Sequence, residues 1–213
     1  MSAYIKNTVH LQIVAALIIT PLLILAVGDY PQRTLLKDFL SFTTIVAFSM
    51  LLGLLYLART NKCILNQIKA SKLIGLHKLI GYTAVTILLL HPFLLVIPRF
   101  YEAGVAPVEA FTTIITTFTS TGVVLGLIAW SLILLISITS LLRTRLPFKY
   151  TTWRVIHGAL ALLCILCAAC HVLYLGRHTD VSMTVFIVML STGGIYLLLK
   201  SYAFQEQKAG EKI

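Results

Sequence analysis

Acidic side chains are the scarcest feature of this sequence: it has seven Asp and Glu in 213 residues, and charged residues of both signs reach only 11%. Soluble globular domains carry about a quarter of their residues charged, so an ordinary water-soluble fold is excluded. Every Asp and Glu lies at the end of an apolar run or between runs. That argues against a proton relay through a membrane, which is usually built on intramembrane carboxylates. Cysteine is nearly as sparse. Cys63, Cys164, Cys167 and Cys170 are too few for a disulfide framework, and the last three share one apolar run in which a bridge would serve no purpose. No second domain, internal repeat or low-complexity tract is visible.

What the chain has instead is apolar residues, 59% of the total, gathered in long runs. A bilayer core of about 30 Å needs about 20 apolar residues per helix, so the chain holds about six spans and little else. The runs fall at 11–27, 39–58, 73–97, 111–142, 153–175 and 181–202. They predict an all-α integral membrane bundle of six transmembrane helices, a single domain over 1–213. The first run is read as a helix and not as a cleaved signal peptide, because Lys6 is the only nearby cation, Pro21 interrupts the run and no small-residue cleavage pattern precedes Asp29. The fourth run is long enough to begin as an interfacial or re-entrant segment. Thr112, Thr113, Thr116, Thr117, Thr119, Ser120 and Thr121 make its first half polar for lipid. Gly122 and Gly126 form a small-xxx-small pair of the kind that admits a neighbouring helix.

The formal charge of +10 is not a nucleic-acid footprint, because the cations fall between apolar runs instead of interleaving with aromatics on a polar surface. They set the orientation. The loop after the second span carries Arg59, Lys62, Lys69 and Lys72, and the loop after the fourth carries Arg143, Arg145 and Lys149, with no acid in either. Both loops are predicted cytoplasmic. The other loops set Asp29, Asp38, Glu102, Glu109 and Asp180 against Arg33, Lys37, Arg99 and Arg177, and are predicted to face outward. Six spans then put both termini in the cytoplasm, and a tail with Lys200, Lys208 and Lys212 against Glu206 and Glu211 agrees.

Four of the six histidines lie inside predicted spans: His77 and His91 in the third, His157 and His171 in the fifth. A polar side chain in a spanning helix is a functional candidate by default, since it is costly in hydrocarbon without a partner. Each pair is separated by fourteen residues, just under four helical turns, which puts its members on nearly one helix face about 21 Å apart. The third and fifth spans run in the same direction. His77 is thus level with His157 near the cytoplasmic side, and His91 with His171 near the outer side. Two trans imidazoles at each level suit heme iron, whose porphyrin fills the equatorial positions. Zinc or copper would want three or four protein ligands together. The faces between the histidines, Gly81, Ala84 and Leu88 on one helix and Ala161, Cys164 and Ala168 on the other, are mostly small. They leave room for a flat macrocycle, or simply let helices pack.

Other polar residues carry weaker signals. Lys78 and Arg154 beside the inner pair, and Arg99 and Arg177 near the outer pair, stand where heme propionates or lipid headgroups would be met. His10 and His178 match no partner and read as interfacial. Cys164, Cys167 and Cys170 wind around their helix and read as small apolar residues. Trp153, Tyr150, Tyr101 and Tyr174 stand near span ends and read as an aromatic belt.

The stretches GLHKLIGYTAVTILLLHPFLL, from Gly75 to Leu95, and WRVIHGALALLCILCAACHVL, from Trp153 to Leu173, resemble the third and fifth helices of the ferric reductase-like transmembrane domain, the heme-bearing membrane part of ferric reductases and NADPH oxidases. The resemblance implies two b-type hemes, the inner held by His77 and His157 and the outer by His91 and His171. It implies an oxidoreductase subunit moving electrons from a cytoplasmic donor to an outer acceptor such as ferric iron or dioxygen. Nothing after Tyr202 is long enough for the family's flavin and NAD(P)H domain, so a separate flavoprotein reductase or quinol is the expected donor, and room remains for a bound flavin. A bacterial inner membrane is the expected setting, with lipid as the surrounding partner. Two alternatives stay open: a quinol-linked cytochrome b, with the Thr-rich start of the fourth span as its only candidate pocket, and a heme subunit resembling that of the periplasmic methionine-sulfoxide reductase system.

Overall fold

A helix in hydrocarbon satisfies its backbone N–H and C=O groups within its own segment, and each long apolar run of the chain adopts that solution. The computed structural model describes residues 11–31, 33–58 and 61–210, with the side chains of all but 63 and 203–210. His10, Arg59, Glu211 and Lys212 lie outside the described residues, as do the side chains of Cys63, Glu206 and Lys208. Among the described residues there are helices, turns and no strand.

Among the described residues five helices are long and apolar enough to cross a membrane, and the described part of the first run forms a further apolar helix of 17 residues. That shorter helix is α1, Leu11–Val27, which contains a π-helical turn at Ala15–Ile19 just before Pro21. The others are α2 (Leu35–Gly53), α3 (Ala70–Leu94), α5 (Thr121–Leu141), α6 (Tyr150–Leu175) and α7 (Val181–Gly210). The long fourth run divides in two. A separate helix, α4 (Pro107–Thr116), holds most of the threonines, and the spanning helix starts only at Thr121. The α4 hydroxyls turn back onto their own helix: Thr113 donates to the Glu109 carbonyl at 2.8 Å and Thr116 to the Thr112 carbonyl at 2.6 Å. Bonded in this way, a threonine can face an apolar medium without an unmet donor.

Two helical hairpins organise the bundle. The closest packing is between α5 and α6, and the next is between α2 and α3. Buried Ala129, Ile133, Cys164, Ile165 and Ala168 join the first pair to a core shared with Phe48, Leu51, Leu52, Leu55 and Ala84 of the second hairpin and its turn. On the outside of α2, α1 and α7 complete the bundle. Leu17 of α1 lies over Gly53, where a Cβ would come within 2.4 Å of it. Tyr56 donates to the Leu190 carbonyl of α7 at 2.9 Å, and Asp180 caps α7 by accepting from Met183 N at 2.8 Å. Leu79, Leu135, Leu163 and Val185 are exposed along their helices, as lipid-facing side chains should be.

At the end of the bundle where α3 finishes, a polar clasp joins the start of α2 to the loop after α3. Lys37 Nζ lies 2.5 Å from Glu102 Oε2, and Thr34 Oγ1 donates to Glu102 Oε1 at 3.4 Å. The hydrogen bond from Lys37 is the main reason that the Glu102 carboxyl sits below its ordinary value of 4.5. A carboxylate whose folded value is depressed contributes stability above its ordinary value and loses it as pH falls through the folded one. Acidification below 4.5 should therefore open the clasp. In hydrogen exchange corrected for intrinsic rates, amides of 34–38 and 97–106 should gain exchange at acid pH, while Glu102→Gln should show the faster exchange already at pH 7 and little further change. A wild-type loop that stays equally protected at both pH values would count against this role.

Candidate functional site

Each predicted histidine helix belongs to a different hairpin: α3 lies against α2, and α6 lies against α5, while α3 and α6 themselves scarcely touch. His91 lies within electrostatic reach of His171, and His157 within reach of His77. Four imidazoles on two helices thus gather as His77 with His157 and His91 with His171. Among the described residues no group of three or more His, Cys, Asp or Glu comes together.

The flanking helices hold the far sides of the rings. His171 Nδ1 is 2.7 Å from the Gly122 carbonyl of α5, a contact that requires the proton on Nδ1. His91 Nδ1 is 3.4 Å from Thr44 Oγ1 of α2. The Thr44 hydroxyl already donates to the Leu40 carbonyl at 2.8 Å, so it accepts from His91, and the proton again belongs on Nδ1. His157 Nδ1 is 3.3 Å from Ser140 Oγ of α5. His77 Nδ1 is buried beside the Leu54 and Leu57 carbonyls, with no hydrogen bond of good geometry. The tautomer demanded at His91 and His171 leaves the Nε2 lone pair as the free coordinating atom, which is the arrangement by which proteins orient metal-binding imidazoles.

Glycine makes the tightest of these contacts available. A Cβ on Gly126 would lie 2.5 Å from His171 Nδ1, and one on Gly122 would lie 2.5 Å from Leu175. The Gly122 and Gly126 pair admits α6 to α5, and it also seats a histidine ring, which its spacing alone did not reveal. Thr44 and Ser140 were not singled out from the sequence. Their only signal was a hydroxyl within an apolar run. Two members of the small-residue faces are spent within the hairpins: Cys164 Sγ contacts the Ala129 carbonyl of α5 at 3.8 Å, and a Cβ on Gly81 would lie 3.7 Å from Leu54. A direct tie crosses between the hairpins. Trp130 Nε1 of α5 donates to the Leu89 carbonyl of α3 at 3.0 Å, next to the turn where Pro92 supplies no N–H.

The remaining candidates are placed as follows. Lys78, Arg99 and Arg177 are exposed, and Arg154 is half-buried, its carbonyl accepting from Tyr202 at 3.0 Å. Cys164, Cys167 and Cys170 are free thiols. His178 is more enclosed than an interfacial residue should be, at 7% exposure, because Tyr30 packs edge-on against it at 4.8 Å and Phe42 lies beyond. Its burial, with Arg33 and Arg177 nearby, holds its pKa below the ordinary histidine value, and Asp38 works in the opposite direction. Trp153 does more than mark an interface. Its ring stacks on His157 at 5.0 Å and 28°, and its Nε1 donates to the Thr139 carbonyl at 3.2 Å.

Comparison with known proteins matches these helices to a family. The family described as ferric reductase like transmembrane component matches residues 43–175, which include all four paired histidines. An uncharacterized protein of Archaeoglobus fulgidus is 38% identical over 161 residues, covering 76% of this chain and 87% of its own length. No solved structure matches this chain. With a transmembrane family matched over α2 through α6 and five apolar helices of spanning length, this is an integral membrane protein, and it belongs to the ferric reductase like transmembrane component family.

Proposed function

We propose that the chain carries electrons across the bilayer through two b-type hemes, one between His77 and His157 and the other between His91 and His171. The observation that carries this reading is the pairing of the four histidines at two levels, His91 within electrostatic reach of His171 and His157 within reach of His77, with Nδ1 hydrogen bonds at His91 and His171 that leave Nε2 free. The donor set is right for a six-coordinate heme, which needs two axial imidazoles and nothing else from the protein. Heme bound there supplies a one-electron ferric and ferrous couple.

The chain's own residues do the rest. Thr44, Ser140 and the Gly122 carbonyl hold the ring planes, and a hydrogen bond to Nδ1 makes an imidazole a stronger donor through Nε2. The apolar helices exclude water and set a low dielectric, a further control on potential. The basic loops orient the bundle with His77 and His157 toward the cytoplasm and both termini inside, which makes α1, with 17 described residues of helix, the sixth span. Electrons enter from a cytoplasmic flavoprotein or quinol and leave to an outer acceptor such as ferric iron or dioxygen, in the plasma membrane. No observation favours the quinol-linked alternative, since the α4 hydroxyls that would have formed its pocket bond to their own helix.

Detergent-purified protein expressed with ample heme should contain two hemes per polypeptide, with low-spin b-type spectra in both redox states. Removing an axial ligand by His91→Ala or His157→Ala should leave about one. Two intact low-spin hemes in either variant would defeat the assignment. Gly126→Leu should push His171 from its seat, cost about 1–3 kcal/mol of stability as an overpacked contact, and selectively weaken the heme of the His91 pair. Pyridine hemochrome content and thermal melts of the variant read both effects, and unchanged values for each would show that the glycine is not required.

A further inference from the structure

The histidine chemistry leaves one feature of the bundle unexplained: a run of aromatic rings that begins at the exposed Tyr150 and ends on His157. Tyr150, the first residue of α6, is 43% exposed. Its ring stacks on Trp153 at 5.9 Å and 22°, and Trp153 stacks on His157 at 5.0 Å and 28°. Two contacts lock the geometry. Trp153 Nε1 is bonded to the Thr139 carbonyl, and the Arg143 guanidinium sits 4.9 Å from the centre of the Tyr150 ring and 5.4 Å from that of Trp153. An aromatic belt accounts for tyrosine and tryptophan at this depth. It does not account for a continuous stack that terminates on a histidine.

The surface around the mouth of this stack is basic. Arg143, Arg145 and Lys149 are exposed within seven residues of chain beside Tyr150, and exposed Lys69 and Lys72 stand at the start of α3 at the same end. No Asp or Glu occurs anywhere from 39 to 101 or from 110 to 179, so neither stretch contains a carboxylate to neutralise them. Among the described residues the ion pair belongs to Lys37 and Glu102, at the opposite end of the bundle.

We propose that Tyr150 and its collar of Arg143, Arg145 and Lys149 are the docking site for an electron-donating protein with an acidic surface around its redox group, and that the Tyr150–Trp153–His157 stack is the entry path. This rests on the reading of His77 and His157 as heme ligands. The donor's reduced centre loses one electron, and the iron between the two histidines goes from ferric to ferrous. No bond forms or breaks, and the rings return unchanged. A basic collar steers an acidic partner and orients it over the exposed ring, an effect that salt screens. Anionic lipid headgroups would be attracted by the same cations, but a headgroup has no use for an aromatic stack leading to a ligand histidine.

The test uses the full heme-loaded chain in nanodiscs of zwitterionic lipid, with reduced flavodoxin, a small acidic flavoprotein, as the probe. Affinity is read by titrating labelled flavodoxin, and electron entry by stopped-flow heme absorbance at saturating probe. The double variant Arg145→Glu, Lys149→Glu should bind flavodoxin at least about tenfold more weakly and lose much of the salt dependence, with heme spectra and dithionite reduction unchanged. Tyr150→Leu should bind within about twofold of wild type yet transfer electrons at least about tenfold more slowly from the bound complex. Equal flavodoxin affinity in the double variant overturns the docking site, and does so decisively if its binding to phosphatidylglycerol vesicles falls instead. An unchanged bound-state rate in Tyr150→Leu overturns the path. Absence of heme would fail the ligand assignment separately, because the affinity titration does not depend on heme.

Discussion

An imidazole inside hydrocarbon has two ring nitrogens to account for, and this bundle settles one of them from behind. Helix α2 holds the Nδ1 side of His91, and α5 holds the Nδ1 sides of His157 and His171. The role of the other nitrogen follows. With Nδ1 engaged by its own hairpin partner at His91 and His171, Nε2 is the nitrogen left free, so the choice of coordinating atom is a product of pairing within each half. The glycines of α5 serve the same end, since His171 reaches the Gly122 carbonyl only where Gly126 offers no side chain.

Much of this was legible before any coordinates. Apolar runs of spanning length are a strong signal because the bilayer leaves the backbone no alternative to the helix, and four histidines within such runs stand out against their surroundings. The starts of the spans were less legible. The threonines marked the first half of the fourth run as a candidate interfacial segment, and the chain does break between Thr117 and Ser120 into a separate helix and a spanning one, but the position of the break was not marked. Of the first run, the described residues supply 17 of helix. What stayed hidden were the partners of the histidines. A serine or threonine in an apolar helix usually bonds back to its own backbone, so nothing in the local sequence distinguishes Thr44 and Ser140 from Thr83 or Ser131, which do only that. Their role depends on which face meets which helix.

The two ends of the bundle are built on different principles. One is acid-containing and tied: Lys37 to Glu102, Tyr30 over His178, and Asp180 capping α7. The other is basic, without a carboxylate in its loops, and its aromatic residues are stacked and partly open. One end is thus held closed by side-chain contacts, and the other leaves cations and an aromatic ring exposed.

The slight contact between α3 and α6 has a consequence for how the protein is made. Two hairpins whose histidine helices scarcely touch, joined through a shared core and the Trp130 bond, form halves that can enter the bilayer one after the other. On the two-heme reading, a group held between the histidines would act as a rivet as well as a cofactor, and its binding energy would become energy of assembly. Its supply during biogenesis would then set how much finished protein accumulates.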